Sequence, residues 1–466
     1  MAFMLTFSWV GVMILIGVIL RAVIKPLGNI LMPASVIGGI IGFILMNTGT
    51  ITKLGADPAL CNTLVDIFFT ISFISIGLTG TAEVEGVSSA KETVKGTIGL
   101  GLVWDMLYGI QPLVGFGVLL LIGGMFNMAP EYGLMLPFAF CQGPGQSAVF
   151  GGMIEQAGFA GAQQVAITYA VIGFVFAFAV GVPIAKRGLK KKLATYPREI
   201  SPAIAKGLYK PEEQEGPAGM MTTYNGNIDV LALHAALVGL CYIGAVGLQK
   251  LLLMVPISII QTFGSMTFFN GLIMAYLVKW IMKKIGVKKY HDDALQARIT
   301  GFATDFLIAG AFMAVQLSVV GQWLLPIAAI AIVGGAITLA VCVFFTQRFG
   351  GVYDFERLLG MWGSATGTCP SGVALIRIVD PDLKTTVPGE MGSMNIMMIP
   401  AGFLAAFVVE YCKGAMPFSF ILLGYALCIV GSVVALAITR TLRKKKSFDL
   451  LKGEKYTTIQ DLNKEN

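Results

Sequence analysis

Charged side chains are scarce in this sequence. Only 13% of its 466 residues are Asp, Glu, Lys or Arg, whereas a soluble domain carries about 25%. Hydrophobic residues make up 56% of the chain, and several apolar runs reach the roughly 20 residues that a membrane-spanning helix needs. The composition excludes an ordinary soluble protein and predicts a polytopic helical membrane protein.

Histidine and paired cysteine are also scarce. The chain has two histidines and seven scattered cysteines without a C-x-x-C pair, so neither a histidine metal site nor a zinc or disulfide framework is predicted. It lacks the G-x-x-x-x-G-K-[ST] loop of ATPases and any constellation of paired catalytic groups. We therefore expect no enzyme activity and no cofactor. The net charge of +7 lies mainly in loops and the tail, which indicates membrane topology and not nucleic-acid binding.

Two segments interrupt the apolar pattern, one in each half of the chain. They are Cys141–Gly152 (CQGPGQSAVFGG) and Gly360–Ile378 (GMWGSATGTCPSGVALIRI). Glycine and proline loosen the backbone, and the freed N–H and C=O groups survive at membrane depth only inside protein or beside water. Paired breaks of this kind predict a transporter built from inverted repeats. The alternative is that the glycines only let helices pack closely.

The apolar segments and the two breaks together predict an all-α fold. It has two inverted five-helix repeats, each with a re-entrant glycine-rich hairpin, and one extra C-terminal helix. The predicted helices are 3–24, 33–47, 63–80, 97–124, 164–185, 229–253, 255–281, 299–321, 323–346, 391–411 and 417–438. The predicted parts are a first repeat at 1–185 with its hairpin near 133–153, a linker at 186–228, a second repeat at 229–411 with its hairpin near 357–378, the extra helix at 412–438 and a tail at 439–466.

The distribution of Lys and Arg predicts the orientation in the membrane. Basic clusters occupy Lys186–Lys192, Lys283–Arg298 and Arg440–Lys446. If the N-terminus is outside and the hairpins return without crossing, all three clusters face the cytoplasm, as the positive-inside rule requires. We expect a multi-pass protein of the plasma membrane with a cytoplasmic linker and C-terminus.

The polar groups of the two breaks form the predicted binding site for a small anionic or zwitterionic solute. Hydroxyl, amide and carbonyl oxygens suit a dehydrated Na⁺, and helix N-termini attract an anion. Arg377 would fork onto a carboxylate, or else pair locally with Asp380 or anchor the cytoplasmic face. The predicted solute-binding residues are Gly143, Gly145, Gln146, Ser147, Ser364, Thr366, Gly367, Thr368, Ser371 and Arg377. The two groups at 146–147 and 366–368 are expected to meet near the bilayer midplane.

Asp66, Asp105 and Asp305 lie within predicted membrane helices, where an ionisable residue is a functional candidate. Asp66 opens the predicted third helix of the first repeat, and Asp305 lies early in the third helix of the second. Both are candidate Na⁺ ligands. The alternative is an interfacial helix start, where the helix dipole stabilises a carboxylate. Asp105 lies deeper, and its alternative role is a hydrogen bond across helices.

At these breaks the sequence resembles the sodium/glutamate symporter family. GPGQSAVF at 143–150 is similar to the family's first glycine hairpin, GHGTGAAW. GMWGSATGTCPSGVAL at 360–375 is similar to its second, GHCGFGLGATPTAIAN, with Gly360, Gly363, Gly367, Pro370 and Ala374 in register. The likeness runs from about Gly17 to Tyr411. It implies two inverted five-helix repeats with re-entrant hairpins, a homodimer, and Na⁺-coupled uptake of glutamate.

The departures from the family pattern bear on the substrate. Pro144 and Met361 replace the two family histidines, and Ser147 and Ala365 replace glycines. The expected function is therefore sodium symport of glutamate or a related amino acid or carboxylate. The alternative is a 2-hydroxycarboxylate symporter of the citrate type. A channel would need a continuous polar stripe, which the sequence does not contain.

Overall fold

The computed structural model describes residues 1–30, 32–79, 90–196, 206–213, 216–380, 385–394 and 398–457. Parts of the predicted linker (197–205 and 214–215) and of the predicted tail (458–466) lie outside these residues. The described helices are α1 (Ala2–Val23), α2 (Lys25–Ile30), α3 (Ala34–Asn47), α4 (Pro58–Leu78), α5 (Ala90–Ile122), α6 (Leu136–Phe140), α7 (Pro144–Gln156), α8 (Ala162–Lys190), α9 (Val230–Leu253), α10 (Ser258–Gly264), α11 (Thr267–Lys284), α12 (Asp293–Ala314), α13 (Leu317–Val320), α14 (Leu324–Thr346), α15 (Asp354–Thr366), α16 (Cys369–Val379), α17 (Val387–Met394), α18 (Met398–Cys412) and α19 (Phe418–Ile438).

Shorter elements connect or follow these helices. Strands β1 (Phe448–Asp449) and β2 (Glu454–Lys455) pair antiparallel after α19. Short 3₁₀ helices lie at Gly123–Phe126, Pro130–Met135, Pro211–Glu213, Lys288–Tyr290 and Gly321–Trp323. Within the described ranges, eight helical stretches are long and apolar enough to cross a membrane. The fold is thus that of an all-α polytopic membrane protein.

Aspartate side chains set the start of three long helices. Asp57 accepts a hydrogen bond from the Ala59 N–H at 2.8 Å, ahead of α4. Asp229 caps α9 in the same way, and Asp292 accepts from the Leu295 N–H at 2.7 Å ahead of α12. Each carboxylate satisfies an N–H group that the first turn leaves unpaired. Helices α4 and α12 therefore begin five or more residues before the apolar runs that predicted them.

Three predicted helices are broken. The segment expected at 299–321 ends at Ala314 and is followed by the separate short helix α13. The segment expected at 255–281 divides into α10 and α11, and the Asn270 side chain donates to the Gly264 carbonyl at 2.9 Å. This bond satisfies one of the carbonyl groups that the end of α10 leaves unpaired. The segment expected at 391–411 divides into α17 and α18, between which residues 395–397 lie outside the described ranges. Hydropathy alone does not detect such breaks because the residues on both sides are apolar.

The chain divides into two compact units, and each draws on both halves of the sequence. Unit 1 comprises Met1–Val23, Pro33–Gly80 and Gly207–Val315. Unit 2 comprises Ile24–Met32, Thr81–Lys206 and Gln316–Asn466. In each half the first three long helices belong to unit 1, whereas the break and the helices beside it belong to unit 2.

Unit 1 is built around the pair α4 and α12. Helix α12 also packs on α1 and α3, while α4 packs on α9 and α11. Phe68 of α4 contacts Phe302 and Phe306 of α12, with ring centroids 5.7 and 5.4 Å apart. The Ser75 hydroxyl donates to the Gln296 carbonyl at 2.9 Å. The aromatic contacts of the buried Phe68 and the hydrogen bond of the buried Ser75 thus fix the register of the central pair.

Unit 2 is built around α5, α8 and α14. Helix α5 packs on α14 and α19, and α8 packs on α6, α7, α15 and α16. The Trp362 indole N–H of α15 donates to the Ala177 carbonyl of α8 at 3.0 Å. A methyl group at Gly173 of α8 would overlap the Thr366 carbonyl. The absence of a side chain at Gly173 therefore lets α8 pack directly against the end of α15.

Candidate functional site

The first break separates α6 from α7 at Cys141–Gly143. Gly143 has φ +85°, a left-handed conformation that other residues adopt only with strain. A Cβ at this position would lie 2.5 Å from Thr368 Cγ2 and 3.1 Å from the Gly367 carbonyl oxygen. Gly143 is therefore required both for its own turn and for close approach to the second break.

The second break separates α15 from α16 at Gly367–Thr368. Thr368 is extended, and its hydroxyl lies 3.2 Å from that of Ser371 in the first turn of α16. A Cβ on Gly367 would lie 3.0 Å from Ser371 Oγ, whereas one on Gly363 would lie only 2.6 Å from the Gly372 N atom. The two arms of the second break thus run with their backbones nearly in contact.

Helix α5 holds both breaks through three buried side chains. The Trp104 indole donates to the Cys141 carbonyl at 3.2 Å, and the Tyr108 hydroxyl donates to Gln142 Oε1 at 3.3 Å. Gln111 Nε2 donates to the Ala365 carbonyl and to the Thr338 hydroxyl, both at 3.0 Å. The Gln111 side chain therefore ties the end of α15 to α14, while its Oε1 accepts from Cys141 Sγ at 3.3 Å.

Sequence reasoning missed these three supporting residues. Their spacing is i, i+4 and i+7, which places them on one face of α5. The polar residue predicted on this helix was Asp105 instead. Asp105 is buried, and its Oδ1 atom has no hydrogen-bond partner among the described residues. These residues could have been found from the sequence because they form a row of hydrogen-bonding side chains along a helix that is otherwise apolar.

The predicted residues of the first break are buried around its turn. The Ser147 hydroxyl donates to the Gly143 carbonyl at 2.9 Å. Gln146 is 2% exposed, and its Oε1 atom has no hydrogen-bond partner within the described residues. Gly145 is also buried, in the first turn of α7. A buried side-chain acceptor of this kind needs a donor or a cation.

The predicted residues of the second break divide by location. The Thr366 hydroxyl donates within its own helix to the Trp362 carbonyl at 2.7 Å, and Ser364 is buried. Thr368 and Ser371 lie at the turn itself. Arg377 is exposed and lies nine residues after Thr368, about 13 Å along the helix. The structure thus gathers the small and hydroxyl residues at the breaks and leaves Arg377 distant from them.

Asp66 and Asp305 both belong to unit 1 and occupy helix interiors. Asp66 is the ninth residue of α4 and Asp305 the thirteenth of α12. The expectation that they stand near helix starts is therefore wrong, because aspartate caps begin both helices earlier. The hydrogen bond between Ser75 and Gln296 marks a point where α4 and α12 lie side by side. Asp66 lies nine residues before Ser75 on α4, and Asp305 lies nine residues after Gln296 on α12. Since α4 and α12 are antiparallel, the two carboxylates lie at the same level of the pair.

A buried ion network supports the base of α15. Arg357, fully buried, donates to Glu92, Asp354 and Glu390 at 2.7–2.8 Å. Asp354 also accepts from the Gly351 N–H and the Ser447 hydroxyl. Arg357 was assigned to no site from the sequence. Its partners were not predicted, although Asp354 at i−3 was a local indication.

Comparison with known proteins gives one finding. A family model described as Sodium/glutamate symporter matches residues 1–381. The matched range contains both breaks, α5, α8 and the whole of unit 1, and it ends before α17. No curated protein matches the chain.

Proposed function

Because this chain belongs to the sodium/glutamate symporter family, we propose that it couples Na⁺ movement to uptake of glutamate or a related amino acid or carboxylate. A member of this family is a transporter and not an enzyme. The eight candidate spans in the described residues agree with a multi-pass membrane protein. Its partners are accordingly a solute, Na⁺ and the lipid bilayer.

The proposed binding site is the meeting point of the two breaks in unit 2. The observation that carries this proposal is the position of Gly143 directly against Gly367 and Thr368. Helices α7 and α16 both begin there, at Pro144 and Cys369. Two helix N-termini at one point supply partial positive charge and N–H donors for a carboxylate without a side-chain cation. This suits an anionic or zwitterionic solute.

The oxygen atoms around the breaks are the proposed Na⁺ donors. The hydroxyls of Thr368 and Ser371 lie at the turn, and Gln146 contributes a buried amide oxygen without a partner among the described residues. Na⁺ is a hard cation that takes such oxygens readily. Asp66 and Asp305 remain proposed Na⁺ ligands within unit 1, where their common level brings two carboxylates to one part of the α4–α12 pair.

The proposed architecture is a pair of inverted repeats with re-entrant hairpins. Support comes from matched packing in unit 1. Helix α1 packs on α3 as α9 packs on α11, and α3 packs on α12 as α11 packs on α4. Helices α1, α3 and α4 of the first half thus correspond to α9, α11 and α12 of the second half. Each set makes the same pattern of contacts within itself and with the other. We also propose a homodimer, a plasma-membrane location, an outer N-terminus and a cytoplasmic C-terminus.

Uptake by purified protein in liposomes tests the function. With an inward Na⁺ gradient, we expect accumulation of labelled glutamate or of another amino acid or dicarboxylate from a panel that includes citrate. Replacing Na⁺ by K⁺ or choline, without a pH gradient, is expected to abolish accumulation, and protein-free liposomes serve as the control. Unchanged uptake without Na⁺ would refute sodium coupling. Uptake of citrate alone would reassign the substrate class.

A further inference from the structure

The C-terminal tail, here residues 439–457, folds back onto unit 2. The Arg443 N–H donates to the Arg348 carbonyl, and the Ser447 N–H to the Gln347 carbonyl, both at 2.7 Å. The Ser447 hydroxyl donates to Asp354 at 2.6 Å. These bonds fasten the tail to the loop between α14 and α15, directly beside the buried ion network.

Further contacts hold the tail from two other sides. The Arg187 side chain at the end of α8 donates to the Leu450 and Leu451 carbonyls at 3.0 and 2.6 Å. The Lys455 ammonium donates to the Thr195 hydroxyl at 2.8 Å, and the Thr195 N–H donates to Glu356 at 2.6 Å. The tail is therefore an ordered part of unit 2, although it lies beyond residue 381, where the family match ends.

A cavity of about 300 Å³ lies between the tail and the α14–α15 loop. Its lining includes three basic side chains, one hydroxyl, one glycine and one carboxylate: Arg443, Lys445, Lys446, Ser447, Gly351 and Glu92. The carboxylate, Glu92, is already paired with Arg357 at 2.8 Å. Lys446 pairs with Asp449 at 2.7 Å and lowers the pKa of that carboxyl to about 2. Positive charge prevails in the lining.

We propose that this cavity binds a phosphate-bearing anion, either a lipid headgroup or a free phosphate compound. Lys and Arg are the side chains that recognise phosphate oxygens, and the volume matches the lower range of small-molecule sites. The basic residues begin two positions after α19 ends at Ile438. Basic clusters directly beside a membrane-spanning helix attract anionic lipid. A headgroup would reach this cavity while its acyl chains stay in the bilayer.

The cavity borders the buried ion network at the start of α15. Glu92 and Gly351 line the cavity, and both contact the ion network, Glu92 through Arg357 and Gly351 through Asp354. Ser447 lines it too and donates to Asp354. An anion that binds both Arg443 and Lys445 would strengthen the attachment of the tail to the α14–α15 loop. It would thereby stabilise the ion network in the first turn of α15.

The chain offers a matched pair of variants for the test. Lys444 and Lys445 are adjacent, exposed and equally charged, but only Lys445 lines the cavity. Thermal unfolding of the purified full-length protein in detergent is measured with phosphatidylglycerol, with phosphatidylcholine and with inorganic phosphate. We expect phosphatidylglycerol or phosphate to raise the melting temperature of the wild type and of Lys444→Gln equally. Lys445→Gln is expected to need about tenfold more of the same anion, as fits the loss of one charged hydrogen bond.

The three additives distinguish a lipid headgroup from a soluble phosphate compound, and they also show whether the cavity binds neither. Stabilisation by phosphatidylglycerol alone identifies a lipid headgroup, and stabilisation by inorganic phosphate as well identifies a soluble anion. Equal losses in Lys444→Gln and Lys445→Gln would mean a diffuse basic tail and would overturn the proposed cavity. No stabilisation by either anion, or equal stabilisation by phosphatidylcholine, would overturn it as well.

Discussion

Gln111 shows how much one buried side chain contributes to the arrangement of the breaks. Its amide nitrogen donates to α15 and α14, and its amide oxygen accepts from Cys141 at the first break. A side chain with one donor group and one acceptor group is suited to bridge segments whose backbone groups are freed by glycine and proline. The low polarity around it makes each of these bonds costly to lose.

Gly143, at the turn of the first break, is expected to tolerate substitution poorly. In Gly143→Ala the added methyl would lie 2.5 Å from Thr368 Cγ2, and the φ of +85° costs about 1–2 kcal/mol for an alanine. We expect sodium-dependent uptake per folded protein to fall at least about tenfold, which is the rate effect of 1.4 kcal/mol. Gly367→Ala should be milder because its methyl would lie 3.0 Å from Ser371 Oγ and 3.1 Å from the Gly363 carbonyl oxygen, and Gly367 does not have a positive φ.

Two further variants control this prediction. Gly431→Ala in α19 adds a methyl with no atom within 4 Å and should transport normally. Adding Thr368→Ser to Gly143→Ala removes the methyl that clashes and should restore part of the uptake. Wild-type transport by Gly143→Ala would show that the two breaks need not be in contact.

At the scale of the element, α15 is held at both ends. Its C-terminal end receives the Gln111 amide at Ala365, and its first turn carries Arg357 among three carboxylates. Ion pairs in a dry interior stabilise only when geometry and hydrogen bonds are nearly complete. Here Glu390 receives both a bidentate contact from Arg357 and the Thr386 hydroxyl. The helix therefore has little freedom to rotate or slide within unit 2.

Arg357→Gln should destabilise the protein strongly. It leaves Glu92, Asp354 and Glu390 buried without their common cation, a change that typically costs about 3–5 kcal/mol. Thermal unfolding in detergent should show a clear fall in melting temperature. Arg440→Gln, at an exposed position after α19, should change stability little. Similar melting temperatures for both variants would mean that the ion network does not form in solution.

At the scale of the molecule, each compact unit combines segments that are distant in sequence. Unit 1 joins α1, α3 and α4 with α9, α11 and α12, and unit 2 joins the two breaks with α5, α8 and α14. This arrangement is expected when two similar halves of a chain each contribute equivalent helices to the same compact unit. The proposed orientation of the molecule in the membrane rests on the basic clusters and can be tested directly.

Cysteine labelling at two exposed lysines tests the proposed orientation. Lys53 lies in the loop before α4, and Lys210 lies in the linker before α9. With an impermeant thiol reagent on intact cells, Lys53→Cys should be labelled and Lys210→Cys should not. Permeabilisation should expose both, and the wild type reports the background from the native cysteines. The reverse pattern would invert the topology, and labelling of both in intact cells would contradict the positive-inside assignment.

Local features of the sequence were enough to predict several parts of the structure. The spans near 3–24, 33–47, 229–253, 323–346 and 417–438 agree with helices to within a few residues, because length and hydropathy determine a membrane helix. The breaks were located for a similar reason, since Gly143, Pro144 and Gly367 act on their own turns. Helix starts at Asp57 and Asp292 were missed because a cap depends on one polar side chain and not on an apolar run.

The sequence by itself determined the class of the protein, its family and the position of the two breaks. These follow from composition and from short motifs, because hydropathy and turn preference depend only on residues that are close together in the sequence. Only the tertiary structure decided which groups meet: Gly143 with Thr368, Gln111 with Ala365, Arg357 with Glu92 and Glu390, and Ser447 with Asp354. Three of these four sets span more than 200 residues of sequence. Contacts at that separation depend on how helices pack, and a single sequence carries no local signal for them.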